Sequence, residues 1–187
     1  MLPNHFLKNM FNKSFLKNIF LYGVISGLLT LLYCWVIKLS GQIPLDGKKA
    51  PSIILSLICM ALAVKAYRKY NPDETLHFWE GFVVANLTNL VGACVSALGL
   101  YIWLSSEGNT ILADYIAQTI SMLQIPAVKI GYVKDMGIES FNSIIAGFKI
   151  LSPKNIAMDE IIGLKGKIPL GILISVMIAL YFRRQYI

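Results

Sequence analysis

Four separate apolar segments, each long enough to cross a lipid bilayer, constrain this chain more than any other feature of its sequence. They cover about residues 19–38, 50–68, 80–104 and 161–183. A transmembrane helix needs about 20 mostly apolar residues, because the hydrocarbon core of a bilayer is about 30 Å thick. Each segment must be helical, since backbone polar groups find no water there. The sequence therefore predicts an all-α polytopic membrane protein with four transmembrane helices.

The overall composition supports this interpretation. Of the 187 residues, 56% are hydrophobic and only 14% are charged, whereas soluble domains carry about 25% charged residues. The formal net charge is +7, but the basic residues flank the apolar segments and form no continuous basic face. We therefore expect a single membrane domain over residues 1–187, with the lipid bilayer as its environment and no nucleic acid as a partner.

Basic residues near the ends of the segments predict the orientation of the chain. Most of them fall on one side of the membrane if there are four spans: Lys8, Lys13, Lys17, Lys65, Arg68, Lys69, Arg183 and Arg184. The positive-inside rule assigns that side to the cytoplasm. Lys38, Lys48 and Lys49 oppose this assignment from the first outer loop. We expect both termini in the cytoplasm and residues 105–160 outside it.

The connection over residues 105–160 contains short helical patterns. Apolar residues recur at helical spacing over residues 109–124, where Pro126 ends the pattern, and again over residues 137–151. Ser152 followed by Pro153 is typical of a further helix start. We expect amphipathic helices that lie on the outer membrane–water interface or cap the bundle. A ligand-binding domain is the alternative.

The turn between the second and third segments carries the strongest charge contrast in the chain. Lys65 and Arg68 end one segment, and Glu80 begins the next. Antiparallel helices would bring Lys65 near Glu80, where a pair costs less than two separate buried charges. Glu80 also follows His77 by three residues, the spacing at which a carboxylate accepts a hydrogen bond from the N-cap backbone. We interpret these residues as a structural pin, with an ion- or proton-coupling carboxylate at Glu80 as the alternative.

Small residues recur every four positions in the first and third segments. They are Gly23, Gly27, Gly81, Ala85, Ala93 and Ala97, and the polar residues Asn86 and Asn89 lie beside them. Small residues at this spacing let helices approach closely, and an asparagine in lipid needs a partner across a helix interface. The pattern predicts packing within the bundle. A homo-oligomer or a protein partner bound through these faces, and a polar transport path, remain alternatives.

The sequence gives no sign of an active site. Cys34, Cys59 and Cys94 lie in apolar segments without histidine or cysteine at metal-ligand spacing, so we expect small buried residues and no disulfide or zinc site. None of the common catalytic or nucleotide-binding motifs is present. We therefore expect no enzymatic activity, no cofactor and no metal.

Three stretches carry a resemblance to a known family: YGVISGLLT, AVKAYRKY and LHFWEGFVVANLTNL. They resemble the four-span membrane proteins of domain of unknown function 4199, which are common in Bacteroidetes. The turn of that family usually has serine or threonine, then phenylalanine, then an acidic residue and phenylalanine. Phe78, Glu80 and Phe82 match this pattern, and His77 departs from it. The resemblance implies a bacterial inner membrane and no particular activity.

The functional expectation follows from this setting. We expect a non-enzymatic accessory or interaction subunit of a complex that acts in envelope or lipid-linked sugar metabolism. A small oligomeric transporter or channel is the alternative, and its path would be lined by Asn86, Asn89 or Glu80.

Overall fold

The computed structural model describes residues 13–70, 76–106, 109–163 and 166–183. The helices in these ranges are α1 (Lys13–Leu39), a 3₁₀ helix (Asp46–Lys49), α2 (Ser52–Arg68), α3 (Phe78–Ser106), α4 (Asn109–Gln124), α5 (Pro126–Met136), α6 (Ile138–Lys149), α7 (Pro153–Ile162) and α8 (Lys167–Phe182). No β-strand occurs in the described ranges. The prediction of an all-α fold is confirmed.

Within the described ranges, four helical segments are long and apolar enough to cross a membrane. They are Phe15–Leu39, Gly47–Arg68, Phe78–Ser106 and Pro153–Phe182. The prediction of four transmembrane helices is confirmed by this count. The fourth segment combines α7 and α8, so it begins inside the stretch that the sequence assigns to the loop. The sequence places α7 in the loop because the helix contains the charged residues Lys154, Asp159 and Glu160.

Helix α3 lies at the centre of the bundle and contacts α1, α2, α7 and α8. Glycines allow α1 to approach it closely. A Cβ atom added at Gly23 would lie 2.7 Å from Val91, and one at Gly27 would lie 2.6 Å from Val95. The small residues of α3 are also buried in the bundle, namely Gly81, Ala85, Ala93 and Ala97. Both small-residue faces are therefore used for packing between helices of one chain.

The two ends of the bundle differ in what they bury. We call the end where α1 begins and α8 ends the terminal end, and the opposite end the loop end. The core near the terminal end is apolar and contains Phe15, Ile19, Met60, Val64, Tyr67, Leu76, Val84 and Ile178. Phe15 and Tyr67 meet edge to face with ring centroids 5.5 Å apart, a favoured aromatic geometry. The loop end buries charged side chains beside a smaller apolar cluster.

Helices α4, α5 and α6 follow α3 and contact one another. Buried Ile111 of α4 packs with Leu45 and Leu104 at the loop end of the bundle. The sequence predicts α4 and α6 but not α5, because Pro126 ends the helical pattern of residues 109–124. Proline also fits the first turn of a helix, where its missing N–H costs nothing, and Pro126 begins α5. Helices α4 and α5 meet at a bend of 78°.

Helix α7 begins where the sequence predicts. Ser152 has extended backbone angles, and its Oγ accepts a hydrogen bond of 3.3 Å from the backbone N–H of Asn155. The Asn155 side chain accepts a bond of 3.2 Å from the Ser152 backbone in return. This reciprocal pair is a capping box, which satisfies two donors at the helix start.

The three cysteines are unpaired thiols in the described part of the chain. Cys34 and Cys59 are buried, as the sequence predicts, whereas Cys94 is exposed on the surface of α3. The expectation of burial at Cys94 is therefore wrong. A thiol among apolar residues can face lipid as readily as a helix, since it behaves as a small hydrophobic group.

Candidate functional site

The charged turn at the terminal end has a structural role. Glu80 Oε2 accepts a hydrogen bond of 3.0 Å from the backbone N–H of His77, so its carboxylate satisfies a donor at the start of α3. Lys65 is exposed on α2, and no ion pair joins Lys65 to Glu80 among the described residues. Arg68 is half-buried in the last turn of the same helix. The capping interpretation of Glu80 agrees with this geometry, whereas the proposed approach of Lys65 does not.

The two asparagines of α3 join it to α8. Asn86 Nδ2 donates to Ser175 Oγ at 2.7 Å and to the Phe82 carbonyl at 2.9 Å. Asn89 Nδ2 donates to the Lys167 carbonyl at 2.7 Å. Gly171 provides the necessary space, because a Cβ atom there would lie 2.0 Å from Asn89 Nδ2. Both side chains have the interhelical partners that a polar group in lipid requires.

The main concentration of buried charge in the described structure lies at the loop end. Glu160 of α7 and Lys167 of α8 are each only 6% exposed. The Glu160 carboxylate pairs with Lys49, and its Oε1 lies 3.5 Å from Lys167 Nζ. Ser96 Oγ of α3 donates to the same oxygen at 2.9 Å. We call Lys49, Glu160 and Lys167 the charged triad.

A series of hydroxyl groups extends from the triad into the bundle. Lys167 Nζ donates to Thr30 Oγ1 at 2.8 Å, and Thr30 Oγ1 donates to the Ser26 carbonyl at 3.0 Å. Ser26 Oγ in turn donates to Ser56 Oγ at 3.1 Å. Thr30, Ser26 and Ser56, which we call the hydroxyl chain, connect α1 and α2 below the charges. The apolar core of the terminal end begins beyond them, at Met60 and Val64.

The fold brings the triad together through a break in the fourth span. Helix α7 ends at Ile162, and the Gly166 N–H donates to the Gly163 carbonyl at 2.7 Å. The chain then starts α8 with Lys167 beside Glu160. Ser96 is ten residues before the end of α3, or about 15 Å at 1.5 Å per residue. The charges therefore lie well inside the length of α3.

Burial at this depth makes the triad costly unless its members are paired. Moving a carboxylate or an ammonium group out of water costs several kcal/mol after relaxation. The attraction to a well-placed partner is of about the same size. Glu160 has two lysines and a serine hydroxyl as partners, and Lys167 has Glu160 and Thr30. Ionisable groups inside a membrane span are functional candidates by default. The triad is therefore the candidate functional site.

A cavity of about 360 Å³ adjoins the triad. Its lining includes Lys49, Ser52, Ile156, Glu160, Lys167 and Leu170. Two helices begin at this cavity, α2 at Ser52 and α8 at Lys167. A helix N-terminus carries a partial positive charge. The cavity therefore combines two ammonium groups, the carboxylates of Asp159 and Glu160, a hydroxyl, two helix N-termini and an apolar wall.

A second cavity, of about 480 Å³, lies at the terminal end of the bundle. It is lined by His77, Phe78, Trp79, Leu180 and Arg183. His77, Trp79 and Arg183 are exposed, so the charge here is solvated, unlike that of the triad. An aromatic and basic surface of this kind is typical of a membrane–water interface.

The described residues contain no group of three or more histidine, cysteine, aspartate or glutamate side chains that could hold a metal ion. Residues 21–184 match the family described as "Protein of unknown function (DUF4199)". The chain belongs to this family. The match confirms the resemblance in the sequence, and it extends from α1 past the end of α8, so the charged triad lies within the DUF4199 region. The chain matches no curated protein and no solved structure.

Proposed function

We propose that this DUF4199 protein is a non-enzymatic interaction subunit of an envelope-related complex in the bacterial inner membrane, with both termini in the cytoplasm. The observation that carries the proposal is the surface of α5. None of the residues of α5 is buried, although most of them are apolar. The exposed fraction is 68% for Ile130, 40% for Tyr132, 39% for Met136 and 36% for Val128.

The apolar residues of α5 do not form a single stripe. At 100° per residue, Val128, Tyr132 and Met136 lie on one side of the helix and Ile130 lies on the other. A helix that rests on the membrane surface instead places its apolar residues on one face and its charges on the opposite face. The surface of α5 is therefore better matched by a partner that surrounds the helix than by a flat lipid interface.

Insertion of α5 into the hydrocarbon is also unfavourable. Helices α4 and α5 together are apolar enough to enter a membrane as a bent pair, with the bend of 78° at its tip. Lys129 lies one turn from that tip, and its ammonium group sits 6.0 Å from the centroid of the Phe141 ring. An inserted pair would carry this charge toward the bilayer centre, which costs several kcal/mol. We therefore favour a protein surface as the cover of α5.

Site-specific photocross-linking tests the proposed partner surface. A photoreactive residue replaces Ile130 in α5 or, as a matched control, Ile150 after α6, which is 81% exposed. We expect position 130, in native membranes, to capture one defined protein in near-equal amount, and position 150 not to capture it. Cross-links from position 130 to lipid alone, or to a second copy of this chain alone, would contradict the proposal.

A matched pair of substitutions separates binding from folding. Ile130→Ser and Ile150→Ser make the same change at two exposed isoleucines, so neither should lower the thermal unfolding midpoint by more than a small amount. We expect only Ile130→Ser to reduce co-purification of the captured protein. Equal loss in both variants would indicate a general effect of the polar side chain.

Topology reporters test the proposed orientation. A reporter fused after residue 130 should be active only in its periplasmic form, because the proposal places α4–α6 outside the cytoplasm. A reporter fused at the C-terminus should be active only in its cytoplasmic form. The reverse pattern at residue 130 would show that the basic residues of the outer loop, with Lys48 and Lys49, determine the orientation.

A small oligomeric transporter or channel is the second candidate. The hydroxyl chain favours it, because side chains from α1 and α2 continue the polar interior from the triad toward the centre of the bundle. A transport role requires that Glu160→Gln abolish flux into proteoliposomes while the protein still assembles. Asn86→Leu should then also lower the flux, whereas Glu80→Gln should leave it unchanged.

A further inference from the structure

We propose that the cavity beside the charged triad is a binding site for a phosphate group, carried by a lipid headgroup or by a small phosphate compound. This inference goes beyond the proposed interaction role and does not depend on a protein partner. It is based on the charge balance of the triad, the hydrogen-bond donors in the cavity wall and the shape of the cavity.

The buried part of the site has an excess of positive charge. Lys49 and Lys167 contribute two positive charges, and Glu160 contributes one negative charge. The side chains of the ion pair between Lys49 and Glu160 are only 16% and 5% exposed. Asp159 also borders the cavity, but it is exposed, and a Cβ atom added at Gly163 would lie 2.0 Å from its Oδ1. Because water screens an exposed carboxylate more than it screens buried groups, the buried part of the site keeps a positive charge that an anion would balance.

The wall of the cavity offers donors to such an anion. Ser52 is 2% exposed and lines the cavity, and its hydroxyl can donate a hydrogen bond to a bound anion. Lys49 carries three N–H donors on its ammonium group, and Glu160 is the acidic partner found for it in the described structure. The remaining donors of Lys49 and the Ser52 hydroxyl border the same space.

The helix geometry adds to this preference for an anion. Helices α2 and α8 have 17 and 16 residues, and both begin at the cavity. The dipoles of both helices favour negative charge at that position. The same charges disfavour a metal cation, since two ammonium groups already neutralise the Glu160 carboxylate.

The shape of the cavity favours a phosphate group with an organic substituent. Its volume of about 360 Å³ falls within the range of about 300–1,000 Å³ that small-ligand sites occupy. Ile53, Ile156 and Leu170 form an apolar side next to the charged side. A phosphate ester presents the same combination of an anionic end and a less polar remainder.

The first test measures thermal unfolding of the purified full-length protein in detergent. The probes are dioctanoyl phosphatidylglycerol, dioctanoylglycerol without the phosphate, and inorganic phosphate at constant ionic strength. We expect phosphatidylglycerol, inorganic phosphate or both to raise the unfolding midpoint in a saturable manner, and dioctanoylglycerol to have no effect. Stabilisation by phosphatidylglycerol alone identifies a lipid headgroup as the source, and stabilisation by inorganic phosphate alone identifies a soluble compound. Equal stabilisation by the phosphate-free lipid, or none by any probe, would overturn the proposal.

Charge variants test whether the cavity itself binds the probe. Lys49→Gln removes a lining ammonium group, and Lys48→Gln removes the same charge from an exposed neighbour that does not line the cavity. We expect Lys49→Gln to weaken binding about tenfold, the size expected for one charge-assisted hydrogen bond. Lys48→Gln should have little effect. Equal weakening of binding in both variants would show that the probe is attracted only by the positive charge of the protein surface. That result would overturn the proposal.

Two further variants give independent readouts. Ser52→Ala should weaken binding without a change in net charge. Glu160→Gln removes the carboxylate that competes for the lysines, so it should strengthen phosphate binding. A cation or proton site would respond in the opposite direction, because Glu160 would be its ligand. Weaker phosphate binding by a folded Glu160→Gln protein would therefore contradict the proposal.

Discussion

The two ends of this bundle are built from the same four spans, yet among the described residues only the loop end buries charged side chains. The terminal end packs Phe15, Val64, Leu76 and Ile178 in an apolar core. The loop end buries Glu160 and Lys167 of the charged triad to a comparable degree. Apolar side chains of similar volume can often replace a buried ion pair with no loss of stability. The terminal end shows that such a core forms in this bundle, so the triad is better explained by binding than by stability.

The largest expected effect is at the triad. Glu160→Ala leaves Lys167 buried with Thr30 as its remaining partner, and it should lower the free energy of unfolding by about 3–5 kcal/mol. Thermal or denaturant unfolding in detergent measures this loss. The double variant Glu160→Leu with Lys167→Met should recover most of it, because both buried charges are then absent. If Glu160→Ala alone is neutral, the triad is not buried as the structure describes.

A substitution at the terminal end provides the matching comparison. Leu76 is fully buried, so Leu76→Ala should lower the free energy of unfolding by about 2–5 kcal/mol through the cavity that it leaves. Its response to phosphate probes should nevertheless remain that of the wild-type protein. A loss of the phosphate response in this variant would show that general destabilisation, and not the charged cavity, controls binding.

Removal of the Glu80 cap should have a moderate effect. Glu80→Ala leaves the His77 backbone N–H without its carboxylate partner, at a cost of about 1 kcal/mol, as for other helix caps. The matched variant Lys65→Gln changes an exposed side chain and should stay within about 0.5 kcal/mol of the wild type. Unfolding curves of the two variants separate the capping role from a paired-charge role. Equal losses would favour the ion pair that the sequence suggested.

A buried polar group near the terminal end offers a stabilising change of similar size. Asn18 is 5% exposed, and its Nδ2 has no hydrogen-bond partner among the described residues. Asn18→Leu keeps a similar branched shape and removes an unsatisfied donor, so it should raise the free energy of unfolding by about 1 kcal/mol. A loss of stability of that size would show that the Asn18 side chain has a hydrogen-bond partner in the folded protein. The core near the terminal end would then include a polar interaction.

The sequence predicts the four transmembrane spans, but it does not predict that Lys49, Glu160 and Lys167 meet in the charged triad. Long apolar segments predict transmembrane helices because the bilayer thickness sets their length. The sequence places Glu160 at the end of the loop over residues 105–160, and Lys49 bears only on the orientation of the chain. The contact between Lys49 and Glu160 depends on the interruption between helices α7 and α8. Such an interruption produces no periodic pattern in the sequence. The available signal was Lys167 within an apolar segment, since such a residue calls for a named partner.

The polar residues of α3 were easier to interpret because their requirements are local. The spacing of His77 and Glu80 predicts a backbone bond within one turn, and that bond is present at 3.0 Å. Asn86 and Asn89 needed interhelical partners, but the sequence could not identify Ser175 or the Lys167 carbonyl as those partners. Gly171 is the residue that allows this contact, because the absence of a side chain there makes room for Asn89.

The distance in sequence between Lys49 and Glu160 has a consequence for how the protein is made. Lys49 lies at the start of the second span, which leaves the ribosome long before α7 carries Glu160 to the membrane. Until then Lys49 has no carboxylate partner at its final position, and it is retained near the headgroups by its charge. Arrival of the last span supplies Glu160 and Lys167 together. The ion pair between Lys49 and Glu160 therefore forms only in a chain whose fourth span has been inserted, and it distinguishes an assembled bundle from a partly inserted one.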